Sequence, residues 1–290
     1  MTIRRILLGL SIAGALAAQT FIQMSDPQFG MYTKNQDFSH ETANFEFAIA
    51  TANRLKPAFV VITGDLINEA GNAAQAAEHK RISGRLDPAI RLFSVAGNHD
   101  VENEPTKESL ARYRERFGPD YYSFRVGDIA GFVLNSNLEK APGNVPEEAV
   151  KMEARFRAEL AKAKQDGVKH PILFQHIPLF LKEPSEPDQY FNIPLETRQR
   201  YLKLLHEYGV QQVFAGHYHR NELGRDGDLE MVTSGPVGMP LGGAKSGRRV
   251  VSVSAAGVSH KYHDFGELPD RWSSAARRGP VRLDQPVRRG

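Results

Sequence analysis

The chain has 290 residues, 41% of them hydrophobic, which is enough for one sizeable core, and no break in the spacing of its elements divides it into two domains. It contains no cysteine, which excludes disulfides and thiolate-bound metals, so any ligand set must be built from oxygen and nitrogen. A formal charge of +3, with part of the excess at the two ends, is too small to argue for a nucleic-acid partner.

The first residues read as an address. Arg4 and Arg5 make a positive start, residues 6–16 a short apolar run, and Ala15-Leu16-Ala17 a small-x-small cleavage site. Residues 1–18 are therefore expected to be a signal peptide and the protein to be exported, periplasmic or secreted. The run is shorter than the about 20 residues of a comfortable membrane span, so membrane contact is expected only through an uncleaved segment.

Thr20 to Met24 is a β-rich run followed by Asp26-Pro27-Gln28, where the proline stiffens the turn. A helix is expected from about Ser39 to Leu55, with Phe47, Ala48, Thr51 and Leu55 on one stripe. Phe59 to Thr63 is a continuous apolar run of the kind found in parallel, doubly covered strands, and Gly64-Asp65 follows it. A polar helix from about Ala73 to Leu86 leads to Leu92-Phe93-Ser94-Val95-Ala96, a strand that ends on Gly97-Asn98-His99-Asp100. Next come a helix near Lys107 to Phe117 and two strands, Tyr121 to Val126 and Ile129 to Asn135, joined at Gly127-Asp128 as an antiparallel hairpin.

Val150 to Gln165 reads as a helix with Met152, Phe156, Leu160 and Ala163 facing inward, and Ile172 to Phe174 as a strand ending at His176. The proline-rich, acidic stretch from Glu183 to Asn192, which closes on Tyr190 and Phe191, is expected to form a lid. A helix from Arg198 to Tyr208 is followed by a strand from Gln211 to Ala215, and that strand delivers Gly216-His217-Tyr218-His219. Three later strands, Leu229 to Ser234, Arg249 to Ser254 and Val258 to Phe265, are separated by glycine-rich turns. Elements mixed in this way fit an α/β (α+β mixed) fold of two mixed β-sheets packed as a sandwich with helices on the outer faces. Residues 19–268 make the domain, and residues 269–290 are expected to be a loose basic tail.

Five strand ends thus carry residues able to hold a metal ion. In order, Asp26-x-Gln28, Gly64-Asp65, Gly97-Asn98-His99-Asp100, His176 and Gly216-His217-x-His219 resemble the signature of the calcineurin-like metallophosphoesterases. The finer wording, including Gln175-His176-Ile177-Pro178-Leu179-Phe180-Leu181, is similar to the CPPED branch of that family. The resemblance implies a four-layer fold and two divalent metal ions, the first held by Asp26, Gln28, Asp65 and His219 and the second by Asp65, Asn98, His176 and His217, with Asp65 as the bridge.

Such a pair would clamp phosphate oxygens and acidify a shared water for in-line attack. His99, not a ligand, would stabilise the phosphoryl oxygens or protonate the leaving alkoxide, and Asp100 would orient it. Where the family pattern has histidine this chain has Gln28, whose hard amide oxygen favours Mn²⁺ or Mg²⁺ over Zn²⁺ or Fe²⁺. Manganese is the expected metal, with iron, zinc or magnesium as the alternatives.

The expected activity is hydrolysis of phosphate monoesters, either small phosphorylated molecules or phosphoserine and phosphothreonine in proteins. Phosphodiesterase action on nucleotides or lipids is the alternative, and a non-catalytic metal-binding or interaction scaffold the alternative of another class. Arg220, Asn221 and Tyr190 are candidates for substrate contact. His40, His79, His170, His206, His260 and His263 lack ligand spacing and are assigned to surface or packing roles.

Overall fold

Strands β1 (Gln19–Met24) and β2 (Phe59–Ile62) are buried on both faces, and successive side chains along them point in opposite directions. Phe21, Phe59 and Val61 enter one hydrophobic cluster, whereas Ile22, Met24, Val60 and Ile62 enter another. The first cluster is the inside of a sandwich of two sheets, and the second packs sheets against helices. The computed structural model describes residues 18–267 and a strand at residues 281–283. The expected signal segment therefore lies almost wholly outside the described residues, as does the expected tail apart from that strand.

The first sheet has five strands in the order β11 (Gly257–Asp264), β10 (Gly247–Ser254), β1, β2, β3 (Arg91–Ser94), with β1, β2 and β3 parallel and the other two antiparallel. The second has seven, in the order β12 (Val281–Leu283), β4 (Tyr122–Val126), β5 (Ile129–Val133), β6 (His170–Phe174), β7 (Gln212–Ala215), β9 (Leu229–Thr233), β8 (Glu222–Asp226). Strands β5, β6, β7 and β9 are parallel, and β12, β4 and β8 run antiparallel to their neighbours.

Aromatic rings fill the space between the sheets. Phe21 stacks on Phe59 with centroids 4.6 Å apart and meets Phe174 and Phe214 of the opposite sheet edge-on at 5.6 and 5.5 Å. Parallel neighbours need crossover connections, and helices supply all but one: α1 (Ser39–Leu55) and α2 (Ala73–Ser83) in the first sheet, α6 (Pro146–Gln165) and α7 (Leu195–Glu207) in the second, while β8 lies between β7 and β9 in the chain. Phe45, Ile49, Met152, Phe156 and Leu160 of these helices join the second cluster. The expected sandwich with outer helices is the fold that forms.

Three short helices complete the order: α3 (Asn98–Val101), α4 (Lys107–Phe117) and α5 (Ser136–Lys140). Of these, α3 and α5 are additions to the sequence-based expectation, as are β8 and β12. Because parallel strands end on the same edge, the loops after β1, β2, β3, β6 and β7 gather along one rim, where ligands of open α/β sheets bind.

Candidate metal centre

Each candidate ligand sits on the first turn beyond a strand, where the chain must leave the sheet abruptly. The backbone pays for this locally. Asp26, Gln28, Asp65, His217 and His219 all have positive φ, at 48°, 38°, 49°, 67° and 54°, a conformation that costs a non-glycine residue about 1–3 kcal/mol. Cross-loop bonds hold them there: Asp26 N–H donates to Gly64 O at 3.1 Å, Gln28 N–H to Asp65 O at 2.9 Å, and Gly216 N–H to His176 O at 3.0 Å. Gly97 and Gly216 permit the approach. A Cβ on Gly97 would lie 2.2 Å from Asp65 Oδ1, and one on Gly216 would lie 2.5 Å from Asp26 Oδ2.

Two buried groups of ligand atoms result, Asp26, Asp65 and His219 in one, and Asp65, His176 and His217 in the other, each with its atoms within 4.8 Å of one another. Asp65 belongs to both. The two histidines of the His217-x-His219 turn go to different groups, and each has left-handed backbone.

The second nitrogen of each ring is fixed by a main-chain carbonyl. His176 Nδ1 lies 2.8 Å from Thr63 O, His219 Nδ1 2.6 Å from Met239 O, and His217 Nε2 3.1 Å from Tyr190 O. A carbonyl only accepts, so the hydrogen must be on those nitrogens, which leaves His176 Nε2, His219 Nε2 and His217 Nδ1 as ligand atoms.

The residues fit a pair of cations. His176 Nε2 lies 3.2 Å from Asp65 Oδ2 and 3.0 Å from Asn98 Oδ1, so three acceptors converge unless a proton or a metal ion separates them. Burial opposes charge on His176, yet the Asp65 carboxylate raises its pKa to about 9. Burial likewise acts to raise the Asp65 carboxyl, but His176 and then His99 hold it well below the usual carboxylate range. Burial, with the neighbouring His176, pushes His217 down to about 3, so that ring is a neutral donor. Gln28 Oε1 is buried with no hydrogen-bond partner, as an oxygen awaiting a cation would be.

His99 is half-buried beside this centre. Its N–H donates to Asp65 Oδ1 at 2.9 Å, and its Nδ1 lies 2.8 Å from Asn68 O. The expectation that Asp100 orients His99 is corrected by the structure. Asp100 turns away and accepts from the backbone N–H groups of Gly97, Leu66 and Ile67 at 2.8, 3.2 and 3.1 Å, tying the loop after β2 to the turn after β3. Burial first, and then the Asp65 charge, push its pKa up to about 8. The carbonyl of Asn68 takes the orienting part.

The stretch from Glu183 to Asn192, expected as a lid, forms a hydrogen-bonded wall beside the centre. Fully buried Arg198 donates to the carbonyls of Ile193, Pro184 and Glu186, and the Glu186 carboxylate caps Leu181 N–H and Lys182 N–H at 2.8 and 3.0 Å. The wall places Tyr190 against the centre, its hydroxyl accepting from Asn98 Nδ2 at 3.2 Å and its ring 4.8 Å from that of His217. Arg220 is exposed with its guanidinium 5.2 Å from the Tyr218 ring centroid, open to an incoming anion. Asn221 is less available, because its Oδ1 accepts from Arg249 Nη2 at 2.7 Å and Gly235 N–H at 3.2 Å.

Sequence reasoning missed Asn68 and the carbonyls of Thr63, Tyr190 and Met239. Only Asn68, three residues after Asp65, carried a signal that could have been weighed, since a main-chain carbonyl has none.

Fold and centre together define a metal-dependent phosphoesterase. The calcineurin-like phosphoesterase family pattern matches residues 20–221, and the chain belongs to that family: it is a hydrolase of phosphoric esters. It is 36% identical over 266 residues to the serine/threonine-protein phosphatase CPPED1 of Danio rerio, covering 87% of this chain and 86% of that one. Among solved structures it is similar to GAP50, the anchor in the inner membrane complex of Plasmodium (TM-score 0.66, 14% identity, 92% of this chain and 90% of that one). Purple acid phosphatase PPD1 from yellow lupin, Lupinus luteus, is similar too (TM-score 0.65, 14% identity, 88% and 53%). At such identities the two structures speak for the fold alone.

Proposed function

We propose that this phosphoesterase is a dinuclear phosphomonoesterase, with Mn²⁺ as its working metal and phosphoserine or phosphothreonine in proteins as its substrate class. The observation that carries the dinuclear reading is the pair of buried ligand groups sharing Asp65. The name of its Danio rerio relative supports the substrate class.

Asp26, Gln28, Asp65 and His219 would hold one ion, and Asp65, Asn98, His176 and His217 the other. Bound there, such ions would neutralise phosphoryl oxygens and lower the pKa of water from 15.7 towards about 7. Asp65 Oδ2 lies 3.2 Å from His176 Nε2, and its Oδ1 accepts from the His99 main-chain N–H at 2.9 Å. His99 keeps one proton on Nδ1 against Asn68 O. When the ring is charged, its second proton is on Nε2, the one that can pass to the leaving alkoxide. Tyr190, Phe191 and Tyr218 form an aromatic flank on the His217 side, with rings in contact at 5.1 Å, and exposed Arg220 extends it with positive charge for an acidic substrate segment.

The test is turnover of a chromogenic monoester, its diester and a phosphoserine peptide by chelator-stripped protein resupplied with Mn²⁺, Mg²⁺, Zn²⁺ or Fe²⁺. Monoester and peptide cleavage with Mn²⁺ is expected, and His99→Ala should lower kcat by about 10²–10⁴-fold at unchanged metal content. A preference for the diester would refute the monoesterase reading. Bound metal without turnover would favour a scaffold.

A further inference from the structure

Gln28 poses a problem that the three ligand histidines do not. Its side-chain oxygen and nitrogen are nearly the same size, so shape does not decide which of them is presented to a cation. In the structure Nε2 donates to Asn68 Oδ1 at 3.0 Å, and Oε1 is the buried atom without a partner.

Asn68 is itself set by its neighbours. Its Nδ2 donates to Asn35 Oδ1 at 2.7 Å, and Gln75 Nε2 donates to the same oxygen at 2.8 Å. Gln75 is fixed in turn, because its Oε1 accepts from the N–H groups of Asn68 and Glu69 at 3.1 and 3.0 Å. The direction of donation therefore passes along the chain of amides. Main-chain N–H groups bind the Gln75 oxygen, its nitrogen goes to the Asn35 oxygen, and that oxygen accepts the Asn68 nitrogen. Asn68 must then offer its own oxygen to Gln28.

We propose that Asn68 is the positioning residue of the first metal group, fixing the Gln28 amide so that its oxygen is the ligand atom. It does for glutamine what the carbonyls of Thr63, Tyr190 and Met239 do for the histidines. The inference rests on the dinuclear reading above. It adds that the glutamine site depends on a relay outside the ligand set, through Asn68, Asn35 and Gln75.

The test is calorimetric titration of the chelator-stripped full chain with Mn²⁺, with thermal unfolding of each variant alongside. Asn68→Leu should weaken one of two Mn²⁺ equivalents by about 10–100-fold, the usual cost of removing an outer partner of a ligand. In a Gln28→Ala background the same substitution should cause no further loss, because the side chain it positions is gone. Asn35→Ala/Asn68→Asp retains an acceptor for Gln28 Nε2 without setting a carboxylate oxygen against Asn35 Oδ1; both Asp oxygens accept, so it needs no orienting partner and should retain both equivalents, which provides a second measurement if Asn68→Leu does not fold. Equal losses with and without Gln28, unchanged Mn²⁺ binding in Asn68→Leu, or a loss in Asn35→Ala/Asn68→Asp as large as in Asn68→Leu would each overturn the proposal. Binding of fewer than two Mn²⁺ by the wild-type chain would overturn the dinuclear reading and this inference with it.

Discussion

Replacing His79 by phenylalanine is expected to flatten the acid side of the stability profile. His79 lies on α2 at 3% exposure, stacked on Phe45 at 5.2 Å and met edge-on by Phe29 and Phe117 at 6.2 and 5.6 Å, and its Nε2 has no partner. Burial lowers its pKa from 6.5 to about 4. The folded value is the depressed one, so below pH 6.5 the unfolded chain binds the proton and the folded chain does not. Stability supplied by the neutral ring is present above pH 6.5 and is lost as pH falls towards 4. At 1.36 kcal/mol per unit the full loss is about 3 kcal/mol, of which about 2 is felt by pH 5.

Urea unfolding of chelator-treated wild-type and His79→Phe protein at pH 8 and pH 5 reads this directly. Any packing cost of the larger ring is the same at both pH values and cancels in the difference. The variant should gain about 2 kcal/mol on the wild type between them. Two profiles that run parallel would show that His79 is protonated inside the fold, and the burial argument would fail.

Two further substitutions probe the site and its wall. Gly97→Ala would put a Cβ 2.2 Å from both the N and the Oδ1 of Asp65, so the shared carboxylate must move. Mn²⁺ retained per chain after dialysis should fall for both groups together, and retention of two ions would contradict a ligand set hinged on Asp65. Arg198→Met removes a buried guanidinium that donates to three loop carbonyls at 2.7–3.1 Å. Stability should drop by about 2–4 kcal/mol and limited proteolysis should begin within residues 183–193. Unchanged cleavage would show that Glu186 and Asn192 hold the wall by themselves.

By itself the sequence determined the layers and the rim. The β-rich run Thr20 to Met24, the continuous apolar run Phe59 to Thr63, and polar residues just beyond each strand are local patterns, and local patterns survive in a linear chain. The positions of Asp26, Asp65, Asn98, His176, His217 and His219 at strand ends were legible for that reason, as was the hairpin at Gly127-Asp128.

The partners were not legible. Asp100 sits next to His99 in the chain yet binds the backbone at Gly97, Leu66 and Ile67, because the buried turn needed its N–H groups satisfied. Left-handed backbone at His217 and His219 is held by contacts across the rim, His217 N–H donating to the Asp26 carboxylate and His219 O accepting from Leu241 N–H. Asn221 looked free beside a ligand and is taken up by Arg249, 28 residues later. Which atoms of the ligands are bare was decided by the tertiary structure alone. Thr63 O, Tyr190 O, Met239 O and the Asn68 amide each approach a ring or side chain from a distant part of the chain, and a hydrogen bond between distant segments exists only once both have been folded into place.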